Sequence, residues 1–136
     1  MQDMLNIQGI RLLIIDDEVE FAATLCRRLQ LRNIDAVDAH SGQEGLELLA
    51  EVKPHIVILD LKMHDMSGLN VLEQIKAYDA TIEVIMLTGH GSVQAGITAR
   101  EKGAFNYMIK PVDLSDLLIK ITEAVTQQGQ QEQVAK

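Results

Sequence analysis

Residues 12–18 read Leu12-Leu13-Ile14-Ile15-Asp16-Asp17-Glu18, an apolar run that stops abruptly on three consecutive acids. A short run that is apolar at every position, not at alternate ones, is the pattern of a strand covered on both faces of a parallel sheet. Moving outward, the same kind of run recurs as Ile56-Val57-Ile58-Leu59, followed by Asp60, and as Val84-Ile85-Met86-Leu87, followed by Thr88. These predict three central strands. Ile34 to Ala39, interrupted by Asp35 and Asp38, and Phe105 to Ile109, which mixes Asn106 and Tyr107 with apolar residues, predict strands nearer the margins.

Helical periods fill the intervals. Phe21, Ala22, Leu25, Cys26 and Leu29 recur at spacings of three and four, as do Leu114, Leu117, Leu118, Ile121 and Val125 after Pro111. Ser41-Gly42-Gln43-Glu44 has the side chains of a capping box ahead of Leu46, Leu48 and Leu49. Further helices are predicted over Gly68 to Ala77 and over Ser92 to Lys102, the latter closed by Gly103. Five strand-helix units result, an α/β doubly wound sheet of flavodoxin-like (βα)5 type with strand order 2-1-3-4-5.

A chain of 136 residues has room for one ordinary domain. Its net charge of −8 opposes adhesion to a polyphosphate backbone, so no direct nucleic-acid binding is expected of it. No apolar stretch approaches the ~20 residues of a membrane-spanning helix. The single Cys26 has no internal disulfide partner and no signal peptide is evident, which predicts a cytoplasmic location and no membrane partner.

The polar residues at strand ends carry the chemistry. Asp16-Asp17-Glu18 follow the first strand, Asp60 the third, Thr88 the fourth and Lys110 the fifth. Open α/β sheets bind ligands outside the carboxyl ends of their strands, where the strand order reverses, which here lies between strands one and three. Asp16, Asp17 and Asp60 converging there would repel one another unless protonated or neutralised by a hard divalent cation, and Mg2+ suits a few carboxylates, a backbone carbonyl and phosphoryl oxygens. A carboxylate beside such a cation can attack phosphorus, with the Lys110 ammonium and the Thr88 hydroxyl stabilising the transferred oxygens. Asp60 is the expected nucleophile.

The Asp16-Asp17 pair, the stretch Asp60-Leu61-Lys62-Met63-His64-Asp65-Met66-Ser67-Gly68, the run Leu87-Thr88-Gly89-His90-Gly91, and Gly103-Ala104-Phe105-Asn106-Tyr107 leading to Lys110-Pro111 closely resemble the receiver domain of bacterial two-component response regulators, the CheY-like family. The resemblance covers roughly Ile10 to Val125. It implies that Asp60 accepts a phosphoryl group from a phosphohistidine, and that Asp16, Asp17, Asp60 and the Lys62 backbone carbonyl hold Mg2+. It also implies a switch formed by Thr88 and Tyr107, a cis peptide between Lys110 and Pro111, and only self-phosphorylation and autodephosphorylation in place of enzymatic turnover. The implied partners are a sensor histidine kinase or phosphotransfer protein, a downstream effector domain or protein, and a phosphorylation-dependent homodimer. The expected organisation is an N-terminal extension over 1–9, a receiver over 10–126, and a polar Gln-rich tail over 127–136 that frays or begins a linker. The chain departs from the family at His64, where Pro often stands four residues after the acceptor. Lys62 and His90 occupy positions that influence acyl-phosphate lifetime in the family. The run Leu87 to Gly91 is similar to receivers attached to transcription activators with an ATPase domain.

Plainer readings stand beside these. Asp16 or Asp17 could cap the first helix, Asp60 and Thr88 could brace turns, and Lys110 could be an ordinary solvated lysine. Cys26 reads as core, Glu18 as either a helix N-terminal charge or an adjunct of the acidic site, and the four histidines as loop or surface residues. Three other functions compete: a flavodoxin-like cofactor binder, disfavoured by the acids after strand one and the absence of Trp; a Mg2+-dependent phosphatase using Asp60, which usually needs an acid where this chain has Lys62; and a phosphorylation-independent scaffold.

Overall fold

The computed structural model describes residues 7–135, and the side chains of residues 7–129. Strands and helices alternate: β1 (Arg11–Ile15), α1 (Val19–Gln30), β2 (Asp35–Ala39), α2 (Gly42–Val52), β3 (Ile56–Leu59), α3 (Gly68–Tyr78), β4 (Glu83–Thr88), α4 (Val93–Glu101), β5 (Asn106–Ile109) and α5 (Leu114–Ala135). The strands form one parallel sheet in the order β2-β1-β3-β4-β5. β1, β3 and β4 are central because every residue of their apolar runs is buried, while β2 and β5 take the edges with partly exposed side chains.

Successive strand side chains point to opposite faces, and the core divides accordingly. Leu12, Ile14, Ile56, Ile58, Ile85 and Leu87 pack against Leu25 and Leu29 of α1 and Leu117 and Ile121 of α5. Leu13, Ile15, Val57, Leu59, Val84 and Met86 pack against Leu49 of α2, Leu72 and Ile75 of α3, and Ala99 of α4. Each fully buried Leu or Ile of this kind stabilises the fold by about 1.5–3 kcal/mol.

The ladders run one step past the strands and thereby fix the site. Asp16 N donates to Ala39 O at 3.0 Å, Asp60 N donates to Ile15 O at 3.0 Å, and Lys110 N donates to Thr88 O at 2.9 Å. Each of these residues is therefore anchored by main chain, not left on a free loop.

Two differences from the sequence reading occur at the termini. Ile7, assigned to an extension, is buried in the α1–α5 side of the core. The segment expected to fray continues α5 as far as Ala135. Gln128 ties the start of this segment to the sheet: it is buried despite its polarity, and its amide donates to His55 O at 3.0 Å and to Thr81 O at 2.7 Å. These carbonyls lie at the amino-terminal ends of β3 and β4, opposite the acidic cluster. Gln128→Leu keeps the volume but strips Thr81 O of its partner, and is expected to cost about 1–3 kcal/mol. Urea denaturation checks this; a loss below about 0.5 kcal/mol would mean that water replaces the amide freely.

Candidate functional site

Asp16, Asp17 and Asp60 each offer a carboxylate oxygen within 4.8 Å of the other two. Asp16 and Asp60 are buried and Asp17 is half-buried. The helix-capping alternative for the acidic pair does not describe what is seen. Glu18 is the N-cap of α1 and caps with no side-chain bond, while Asp16 Oδ1 accepts the Glu18 N–H at 2.9 Å. That bond turns the chain after β1 and aims Asp16 back over the sheet.

Lys110 reaches the cluster from β5. Its Nζ lies 2.8 Å from Asp16 Oδ2, 2.5 Å from Glu18 Oε1 and 4.0 Å from Asp60 Oδ2. The ammonium also sits 4.1 Å from the centroid of the Phe21 ring, on the first turns of α1, a favourable cation–π placement. Only 11% of its side chain is exposed, so the solvated-lysine reading fails. Burial works against its charge, but the hydrogen bonds to Asp16 and Glu18 outweigh that and hold its pKa above the ordinary value. Burial pushes the Asp16 carboxyl up, with the neighbouring Asp60 adding to it and the Lys110 and Glu18 hydrogen bonds opposing. Asp16, Glu18 and Asp60 thus face one ammonium, and Asp17 adds a further carboxylate beside Asp16 and Asp60. An all-oxygen donor set left this negative suits a hard divalent cation.

The loop after β3 is closed tightly beneath Asp60. Gly68 N donates to Leu61 O at 2.7 Å, and a Cβ at Gly68 would lie 2.1 Å from Asp60 O, so only glycine allows the chain to return so near Asp60. Lys62 bridges to Ser67 across this loop, and its N–H lies 3.5 Å from Asp60 Oδ1. His64 donates from its main-chain N–H to Asp17 Oδ2 at 2.9 Å, and its ring Nδ1 lies 2.9 Å from the same oxygen. Burial alone would raise the Asp17 carboxyl; the bonds from the His64 ring and backbone outweigh it, and the net shift is downward. Asp65 accepts the Gly42 and Gln43 N–H groups at the start of α2, which lowers its own pKa.

Thr88 is fully buried at the end of β4, and its hydroxyl accepts the His90 N–H at 3.1 Å. Tyr107, on β5, accepts the Ser92 N–H on its hydroxyl at 3.0 Å. Its ring lies in a slot in which a side chain at Gly91 would collide with it, the Gly91 Cβ falling 2.1 Å from the hydroxyl. The two residues therefore tether the two ends of the loop joining β4 to α4. The peptide between Lys110 and Pro111 is cis.

The sequence and the fold match a known family. The model of the response regulator receiver domain matches residues 12–122. The chain belongs to the response regulator receiver family. Regulatory protein AtoC of Escherichia coli is 30% identical over 124 residues, covering 91% of this chain and 27% of AtoC. The chain spans between about a quarter and somewhat over half of the curated relatives it matches. A CheY-like receiver domain from Methanospirillum hungatei superposes with TM-score 0.87 at 28% identity, covering 91% of this chain and 99% of that one. A response regulator from Burkholderia pseudomallei, solved with a phosphorylated aspartic acid and a calcium ion, superposes with TM-score 0.80 at 27% identity over 94% of this chain and 75% of that one. The chain is thus a receiver module of two-component signalling.

Three side chains around the cluster have partners that spacing alone does not reveal, although Glu18 is expected as one of two alternatives to join the acidic site. Glu18 is the second carboxylate on Lys110, Phe21 lies under the ammonium, and His64 braces Asp17. No spacing rule exposes them, since their partners lie far away in the chain; the available signals are the place of Glu18 beside the acidic pair and the departure at His64. Cys26 behaves as the core residue it was read to be: its thiol donates to Ala36 O at 3.3 Å, and burial raises its pKa to about 11. Among the described residues no helix is long and apolar enough to cross a membrane.

Proposed function

We propose that this receiver takes a phosphoryl group onto Asp60 from the phosphohistidine of a sensor histidine kinase or phosphotransfer protein. The observation that carries the reading is the meeting of Asp60 with two further carboxylates and a buried, charged Lys110 at the mouth of the sheet. An Asp60 oxygen attacks phosphorus, an oxygen–phosphorus bond forms, and the bond to the donor breaks with release of the imidazole. Lys110 supplies positive charge to the transferred oxygens, and the Thr88 hydroxyl supplies a hydrogen bond. Asp16, Asp17, Asp60 and the Lys62 carbonyl are the groups that would hold Mg2+, which when bound neutralises charge developing on the phosphoryl oxygens. That a similar response regulator was solved with a phosphorylated aspartic acid and a calcium ion supports this reading.

The output is an exchange of partner without turnover. When the Thr88 hydroxyl turns to the phosphoryl group it releases the His90 N–H, loosening one of the two tethers on the β4–α4 loop; Tyr107 holds the other. Tyr107 also forms a wall of a groove of about 500 Å³ together with Val93, Gly96, Ile97 and Arg100, so motion of its ring reshapes that surface. The partners that would read it are a downstream effector domain or protein, or a second phosphorylated copy. The proposed location is cytoplasmic, where the kinase domains of such systems act.

Incubation with Mg2+ and acetyl phosphate is expected to add the mass of one phosphoryl group, and excess EDTA to prevent it. An unchanged mass in Mg2+, or an equal gain in EDTA, would overturn the reading.

A further inference from the structure

We propose that His64 is a positioning residue for the cation site: its main-chain N–H and its ring Nδ1 clamp the Asp17 carboxylate through Oδ2 and leave Oδ1 directed at the cation. This rests on the reading of Asp16, Asp17 and Asp60 as a cation site. The two donors come from one residue, lie at the same distance of 2.9 Å, and converge on one oxygen 47 residues away in sequence. A single hydrogen bond leaves a carboxylate free to pivot; two fixed donors on one oxygen define the plane in which the other oxygen lies. The imidazole is 73% exposed, so core packing does not explain its orientation. The adjacent Asp65 binds the Gly42 and Gln43 amides, so the loop that carries the clamp is itself pinned to α2.

The clamp also specifies a tautomer. An ionised carboxylate only accepts hydrogen bonds, so a neutral His64 in contact with Oδ2 must carry its proton on Nδ1, with Nε2 bare.

Calorimetric titration with Mg2+ separates the possibilities, using the unphosphorylated chain. His64→Asn retains a donor close to the Nδ1 position and is expected to bind as the parent does. His64→Leu keeps the backbone donor and loses the ring donor, and is expected to bind roughly tenfold more weakly. His64→Pro loses both donors and is expected to fall further. Asp17→Asn serves as the reference for a lost ligand. Equal affinity of the parent and His64→Leu, with Asp17→Asn impaired, would overturn the clamp and leave the cation site standing; a parent that binds no Mg2+ would overturn the cation site itself. Nitrogen-15 shifts of the imidazole in the parent provide a readout that needs no variant: the Nδ1–H tautomer is expected, and a dominant Nε2–H form would refute the proposal.

Discussion

Asp60→Asn is expected to abolish phosphoryl uptake from acetyl phosphate and, in the absence of Mg2+, to raise the melting temperature. The first effect follows because an amide oxygen lacks the charge to attack phosphorus, and no neighbouring carboxylate is placed to replace it: Asp16 is engaged by Lys110 and Glu18, and Asp17 by His64. The second follows from comparing magnitudes. At an effective dielectric of about 20, each repulsion of Asp60 by a carboxylate within 4.8 Å is worth at least roughly 3 kcal/mol, while its attraction to Lys110 at 4.0 Å is worth roughly 4 kcal/mol. Two repulsions outweigh one attraction, and the amide also avoids the cost of burying a charge in a residue that is only 2% exposed. Solvent at the half-buried Asp17 screens part of the difference, so a gain of about 1–2 kcal/mol is expected. For a domain of this size that raises the midpoint by about 4 °C per kcal/mol. Adding Mg2+ should stabilise the parent more than the variant, because binding to the folded state alone contributes RT ln(1 + [L]/Kd). Intact mass and thermal scans check both arms. A variant that still gains a phosphoryl group places the acceptor elsewhere, and one that melts lower shows that Lys110 dominates the balance.

The architecture was readable because its signals are local. A strand buried on both faces must be apolar at every position, so β1, β3 and β4 announced themselves as runs and β2 and β5 as diluted versions of them. The acidic cluster was readable for a related reason: where a wholly buried strand ends on Asp16, Asp60 or Thr88, the polar group has to serve something outside the sheet. What escaped depends on pairings remote in sequence. Gln128 looked like part of a solvated tail because the residues around it have little to bury, and its burial is explained only by the His55 and Thr81 carbonyls. Phe21 has the spacing of a core residue on α1, yet its ring face is taken by an ammonium from β5. α4 was recognisable as a helix, but not that Val93 and Ile97 would face outward, leaving Ala99 as its buried residue. Periodicity tells which residues share a face; it does not tell which face the rest of the molecule covers.

Lys110→Met is expected to impair both stability and phosphorylation, and the two losses have different pH dependences. Methionine keeps an unbranched stem of similar length and removes the charge that lies over Phe21. Breaking a buried pair usually costs about 3–5 kcal/mol because the surviving charge is stranded. Here the stranded group is Asp16, whose pKa burial already raises, and it can take up a proton, so the cost near neutral pH is expected to be smaller, about 2 kcal/mol. The sign follows from that. A carboxyl whose folded pKa lies above its unfolded value stabilises the fold below the unfolded value of 3.8 and loses that contribution as pH rises through the folded one. Removing Lys110 raises the folded value further, so the destabilisation should be small in acid and grow toward neutrality. The parent behaves oppositely at the other extreme. Lys110 has a folded pKa above 10.5, so its contribution is complete below that pH and disappears as pH rises through the raised value. Phosphorylation by acetyl phosphate should fall about a hundredfold, the usual loss when one charged donor to a transferring group is removed, and acidification should not restore it, since a protonated Asp16 cannot replace an ammonium at phosphoryl oxygens. Urea denaturation across pH and timed intact-mass measurements separate the two. A variant phosphorylated at the parental rate removes Lys110 from the chemistry, and a stability loss unchanged between acid and neutral pH shows that Asp16 is not the charge it neutralises.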